Sequence, residues 1–285
     1  MKNLRMIYCM AMLAGAVFLL TTTAQAELLA YFPFDGNTNE VVNDLPVTVN
    51  GGGLSFSTGV FGQAASFDGV DDYLDVTDGP DDVLEALDDA APDVWGTMMC
   101  WVKTTDVSTS NTYGGPTFVE RRDPTNEFKM LYHLGLSTEG YFLNFSKPPM
   151  KGLIASVQYG SGPVAPKIND GQWHHIATTV KRSGDETTSY IYVFVDGYQH
   201  GVFELGSDAA SDFTTCENLR IGARAKNYGV PDCYADAEID ELAIYDEWMG
   251  GPAIREIMVN GVIPEPGTLT LLVLGLFVGL FVRKR

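Results

Sequence analysis

Oxygen-bearing side chains stand at alternate positions in Asp35-Gly36-Asn37-Thr38-Asn39. A Ca²⁺-binding turn presents its hard ligands in this way. The sixth position is Glu40 where an EF-hand needs Gly, and no helical pattern flanks the segment. It is therefore either another kind of cation turn or a set of solvated turn formers. Asp68-Gly69-Val70-Asp71-Asp72 is a second oxygen-rich turn, and Asp240 lies at the start of the last apolar run. Asp35, Asn37 and Asp240 are the expected metal ligands. The four imidazoles, His133, His174, His175 and His200, do not form a zinc pattern, and no Gly-x-Ser-x-Gly turn supplies a nucleophile. His174 and His175 open an apolar strand and read as structural, one ring packed and the other facing solvent. Trp101 and Trp173 read as core aromatics.

The elements that must position these residues are strands. Short β-rich runs recur at Leu28–Phe34, Ala64–Phe67, Tyr73–Val76, Thr97–Lys103, Lys129–Leu136, Tyr141–Phe145, His174–Val180, Ser189–Val195, Leu219–Ile221 and Ile239–Tyr245, with turn residues between them. Asp196-Gly197 between two such runs predicts a tight hairpin. Helix is expected at Pro252–Val259, with Ile254, Ile257 and Met258 on one face, and at Asp81–Leu87. The pattern predicts an all-β fold, one two-sheet antiparallel β-sandwich spanning residues 27–261.

Charge narrows the function. Of 37 acidic and 18 basic residues, the stretch 27–263 keeps 36 and 13, a net charge of −23. A body this acidic repels a phosphate backbone, so nucleic-acid binding is excluded. The two ends differ from the body. Lys2 and Arg5, the apolar run Met6–Leu20 and Ala24-Gln25-Ala26 predict a signal peptide over residues 1–26. At the other end, residues 262–285 carry Pro264-Glu265-Pro266, an apolar run from Thr268 to Val282, and Arg283-Lys284-Arg285. Those 15 residues would span about 22 Å as a helix, short for a membrane core of about 30 Å. The expectation is an exported protein with a thin inner-membrane anchor and its basic cap on the cytoplasmic side.

An exported chain meets an oxidising compartment. Cys9 leaves with the signal, and Cys216 and Cys233 bracket a polar loop that a disulfide would stabilise by roughly 3 kcal/mol. Cys100 is expected as a buried thiol.

Two resemblances add to this reading. The three-part C-terminus resembles the PEP-CTERM sorting signal, which implies recognition by an exosortase and removal of the tail. In the body, Leu29-Ala-Tyr-Phe-Pro-Phe-Asp-Gly-Asn-Thr38, Phe61–Leu74, Cys100-Trp-Val-Lys103, Gly171–Ala177, Val195-Asp-Gly197, Leu219–Ala223 and Ile239–Tyr245 resemble bacterial laminin-G-like, concanavalin A-like domains. That resemblance implies a jelly roll, ligands on the concave face or rim loops, and often a structural or ligand-bridging Ca²⁺.

Glu238-Ile239-Asp240-Glu241-Leu242-Ala243 is similar to the Glu-x-Asp-x-x-Glu strand of retaining endoglycanases, but Ala243 stands where the second Glu belongs. Retaining hydrolysis needs two carboxyl groups about 5–5.5 Å apart. Glu241, three residues from Glu238, should face the opposite side of a regular strand. No enzymatic activity is expected. The expected function is an exported binding or adhesion module for an extracellular glycan, with a ligand-free matrix protein and an endoglycanase as the alternatives. Loops 112–122, 158–163 and 225–234 offer Tyr113, Arg121, Arg122, Tyr159, Asn227 and Tyr228 as the glycan contacts.

Overall fold

The structure, a computed structural model, describes residues 26–77, 83–84, 95–107, 115–122, 130–137, 139–146, 153–156, 166–182, 189–205, 218–226 and 230–262. In chain order the strands are β1 (Leu28–Phe32), β2 (Val47–Asn50), β3 (Ser55–Thr58), β4 (Gln63–Asp68), β5 (Tyr73–Thr77), β6 (Trp95–Lys103), β7 (Thr117–Arg122), β8 (Met130–Leu136) and β9 (Phe142–Ser146). They continue with β10 (Leu153–Ser156), β11 (Trp173–Arg182), β12 (Ser189–Val195), β13 (Tyr198–Leu205), β14 (Asn218–Ile221), β15 (Arg224–Lys226), β16 (Val230–Asp232) and β17 (Asp236–Tyr245). One helix, α1 (Gly251–Asn260), follows.

The strands form the expected antiparallel sandwich. An eight-stranded sheet runs β13-β12-β11-β6-β17-β4-β3, with β1 also paired to β17. A seven-stranded sheet runs β10-β9-β8-β7-β14-β5-β2, and β15–β16 is a separate hairpin. Period-two alternation sends Ala65, Phe67, Leu74, Val76, Met98, Cys100, Val102, Val193, Leu219, Ile221 and Ile239 into one core between the sheets. Each fully buried large apolar side chain there contributes about 1.5–3 kcal/mol. Cys100 is the buried free thiol expected for it.

The strands that the apolar pattern missed, β2, β3, β7, β10, β15 and β16, are short, and the first three are polar: Val47-Thr-Val-Asn50, Ser55-Phe-Ser-Thr58 and Thr117-Phe-Val-Glu-Arg-Arg122. Asp196 and Gly197 both have positive φ, 51° and 75°, as a type I′ hairpin turn requires. The C-terminal helix lies where Pro252 and the apolar face placed it, and Gly261 ends it by donating to the Ile257 carbonyl. Its fully buried Ile254 packs with Tyr31, Met99, Ala177, Phe194, Ala243 and Tyr245 in a second cluster. These residues alternate with the core set, so α1 covers part of the outer face of the eight-stranded sheet. Of the second expected helix, only 83–84 fall among the described residues.

Candidate functional site

Register lines polar side chains up across both sheets. On the eight-stranded sheet, Ser55 pairs with Ser66, Ser66 with Glu238, Glu238 with Lys103, and Lys103 with Trp173. Their chain neighbours Ala65, Phe67, Ala237, Ile239 and Val102 are in the core, so this row faces outward. It is accessible: Ser55 is exposed and the other four are half-buried. Lys103 Nζ bonds Glu238 Oε2 at 2.7 Å and lies 5.8 Å from the Trp173 ring centre. An indole, a neutralised ion pair and two hydroxyls thus stand side by side.

In the next outward row, Asp240–Trp101–His175, the two ends are buried and Trp101 is half-buried. Trp101 meets the His175 ring edge-on at 5.3 Å, and burial pushes the His175 imidazole down to about 4, so it stays neutral at pH 7. Trp101 and Trp173 therefore sit on the outer face, not in the core. Both imidazoles of the His174-His175 pair are buried, where one was expected in solvent. His174 is held between Asp196 at 2.9 Å and Asp170 at 3.2 Å, and the Asp196 contact raises its pKa against the effect of burial.

β17 is not the regular strand assumed from its sequence. A bulge lies between Asp240 and Ala243, with Glu241 at φ 53°. There β17 exchanges β4 for β1 as its neighbour. Glu241 turns toward Tyr31, whose hydroxyl donates to its carboxylate at 2.6 Å, and it also accepts from the Val262 amide. Burial, then the bond to Glu241, holds the Tyr31 phenol protonated far above its ordinary range. Asp240 Oδ2 accepts from the Val60 and Phe61 amides, while its buried Oδ1 has no partner among the described residues. Burial raises this carboxyl to about 7. Glu238, Asp240 and Glu241 therefore each have a structural partner.

The other expected ligands hold turns as well. Asp35 Oδ1 accepts from the Gln63 amide at 2.8 Å, and Asn37 Oδ1 accepts from the Asn39 amide at 2.9 Å. Asp35 and Asp240 thus anchor the same β3–β4 turn. Glu40 is buried and accepts from the amides of Tyr31, Val42, Asn43 and Leu45.

The seven-stranded sheet carries a comparable outward row: Thr48, Asp75, Arg220, Glu120 and His133. Arg220 Nε donates to Asp75 Oδ1 at 2.7 Å, and its guanidinium covers the Tyr73 ring. Here Glu120, His133 and Arg220 are buried. The β15–β16 hairpin packs against β7, with Arg224 and Asp232 paired bidentately across it at 2.8 and 2.7 Å. Arg121 corrects the expected glycan patch: it is fully buried and shares the inward face of its partner Leu219. Arg122 ends β7, and Tyr113, Tyr159, Asn227, Tyr228, Cys216, Pro264, Glu265 and Pro266 lie outside the described residues. Cys233 is buried, and its carbonyl accepts from the Thr117 amide.

Residues 68–255 match the concanavalin A-like lectin/glucanases superfamily. The chain belongs to that superfamily. Residues 262–285 match the PEP-CTERM protein-sorting motif, which indicates export and membrane-associated sorting. Among the described residues no helix is long and apolar enough to cross a membrane.

Among solved structures, this lectin/glucanase-type chain is similar to domain 4 of AbnA, a GH43 extracellular arabinanase from Geobacillus stearothermophilus, solved with arabinotriose. The identity is 18%, with 82% of this chain and 98% of that one covered and a TM-score of 0.55. It is also similar to the receptor-binding domain of a botulinum neurotoxin C/D mosaic serotype, at 10% identity and a TM-score of 0.56 over 82% of this chain and 51% of that one. A structure of botulinum neurotoxin type C, whose cell entry depends on two ganglioside molecules, matches at 10% identity and 0.53 over the same shares. The chain spans about half the length of these toxin chains. At such identities the likeness is one of fold. No curated protein matches the chain.

The sequence reading missed the Ser55–Trp173 row. The available signal was alternation: Glu238 and Ser66 each stand between two apolar residues, and Lys103 follows Val102, but only pairing aligns them.

Proposed function

We propose that this is an exported, non-catalytic glycan-binding module, sorted through its PEP-CTERM tail by an exosortase to the cell surface or exopolysaccharide matrix. The observation that carries this is the accessible row Ser55–Ser66–Glu238–Lys103–Trp173. Sugar sites pair a stacking ring with hydrogen-bonding side chains, and this row has both. The net charge of −23 over residues 27–263 disfavours polyanionic polysaccharides, and Lys103 is neutralised by Glu238, so the ligand is a neutral glycan. The non-catalytic reading is supported by the partners of Glu238, Asp240 and Glu241, which leave no free pair to act as nucleophile and acid. The arabinotriose complex of one similar structure and the ganglioside dependence of another are consistent with a glycan ligand on this fold.

A glycan array probed with the full-length chain in detergent tests the reading. Neutral oligosaccharides should bind, and Trp173→Ala should weaken binding at least about tenfold. Binding that is undiminished in Trp173→Ala moves the site elsewhere. A blank array favours a matrix protein without a specific ligand. Turnover of a glycan that is lost in Glu238→Gln makes the domain an enzyme.

A further inference from the structure

The β4–β5 turn crosses from one sheet to the other at the rim, and two glycines, Gly51 and Gly53, approach it closely. One carboxylate oxygen from each of Asp68, Asp71 and Asp72 falls within 4.8 Å of the others. Two oxygens each about 2.4 Å from one Ca²⁺ can be at most about 4.8 Å apart, so this spacing suits a shared ion. Acidic turns are common without an ion, but Asp72 sets this one apart. Its residue is fully buried, Oδ1 accepts from the Gly53 amide at 2.9 Å, and Oδ2 has no hydrogen-bond partner among the described residues. A buried carboxylate oxygen without a partner is costly unless something positive meets it.

Gly53 shows where that oxygen points. A Cβ built there would stand 3.1 Å from both Asp72 Oδ2 and Asp68 Oδ2, so the two oxygens converge on one small space that a side chain would fill. Gly51, at φ +88°, has no room for a side chain either, since its Cβ would meet Asp72 Oδ1 at 2.5 Å. Asp68 Oδ1 is occupied by the Val70 and Asp71 amides, which fixes Oδ2 as the outward oxygen. Asp68 and Asp71 are exposed, so water can complete a shell of six to eight oxygens.

We propose that Asp68, Asp71 and Asp72, with Gly51 and Gly53 packed against them, bind one Ca²⁺. The ion fixes the β4–β5 turn, whose Asp72 in turn holds the β2–β3 connection through the Gly53 amide, and so steadies one rim of the sandwich. The site is separate from Asp35, Asn37 and Asp240, and the proposal does not rest on glycan binding. Mg²⁺ fits less well, because it demands a tight octahedron while two of these three ligands come from adjacent residues.

The test is calorimetric titration of CaCl₂ and MgCl₂ into the EDTA-stripped full-length chain in detergent, with melting curves alongside. One Ca²⁺ per chain is expected, with Mg²⁺ at least about tenfold weaker. Asp71→Asn and Gly53→Ala should each weaken Ca²⁺ at least about tenfold, whereas Asp35→Asn should leave its affinity unchanged. Because Asp71 is exposed, Asp71→Asn should melt like wild type without metal, which separates a lost ligand from a lost fold. Absence of heat and of any melting shift at about 10 mM CaCl₂ overturns the proposal, since even weak extracellular sites bind there. So does Ca²⁺ affinity that survives both Asp71→Asn and Gly53→Ala, or that is lost in Asp35→Asn but kept in Asp71→Asn.

Discussion

The outer faces of the two sheets carry rows of nearly the same chemistry in different surroundings. On the eight-stranded sheet, Lys103 and Glu238 form a half-exposed pair beside Trp173, with side-chain exposures of 38% and 23%. On the seven-stranded sheet, Arg220 and Asp75 form a pair beside Tyr73, but the Arg220 side chain is only 8% exposed and the row continues into buried Glu120 and His133. An acid, a base and a ring in register are thus not in themselves a binding site. Where a hairpin covers them, the charges hold the fold together; where nothing does, they remain available to a ligand.

The largest effect should come from the covered row. Arg220→Ala strips a buried cation from Asp75 and from its place beside Glu120, and should cost about 2–4 kcal/mol in denaturant unfolding. A loss below about 1 kcal/mol would mean that the row is as solvated as its counterpart, and the comparison would collapse.

Next in size is the Asp240–Trp101–His175 row, through its buried carboxyl. The Asp240 carboxyl is raised to about 7, above the ordinary 3.8, chiefly by burial. A raised acid favours the fold while protonated, so its contribution is complete below pH 3.8 and is lost as pH rises through 7. Wild type should therefore lose roughly 2–4 kcal/mol relative to Asp240→Asn between about pH 4 and about pH 8. The Asn variant keeps an acceptor for the Val60 and Phe61 amides. Parallel pH profiles for the two proteins would show that Asp240 ionises freely or that a cation neutralises it.

The smallest stability effect belongs to the accessible row. Lys103→Met should change unfolding free energy by less than about 1 kcal/mol, as surface pairs do. The same substitution should weaken glycan binding severalfold, because it leaves Glu238 unneutralised beside the indole. Dependence of stability on Lys103 together with indifference of binding would reverse the roles given to the two faces.

The sequence by itself determined much of this protein. Alternating apolar residues between turn formers specify strands with one inward face, and that pattern suffices for a two-sheet sandwich. Asp196-Gly197 specifies its hairpin because two successive positive-φ positions suit few other residues. Pro252 and Gly261 bracket the helix for reasons equally local. The sorting tail is legible because its three parts are contiguous.

Tertiary structure alone decided which polar residues matter. Arg121 looks like a surface cation and is buried, because the β7–β14 register puts it on the face of Leu219. Glu241 looks as though it faces away from Glu238, and the bulge at the exchange of β4 for β1 turns it toward Tyr31 instead. Asp35 and Asp72 both sit in acidic turns. Asp35 Oδ1 meets the Gln63 amide, while Asp72 Oδ2 is left facing Asp68 under a glycine. Local sequence fixes which face a side chain takes only while the strand stays regular. Register, bulges and the loops folded over a sheet are long-range outcomes, and they decide which charge meets a partner, which meets solvent and which is left for a ligand.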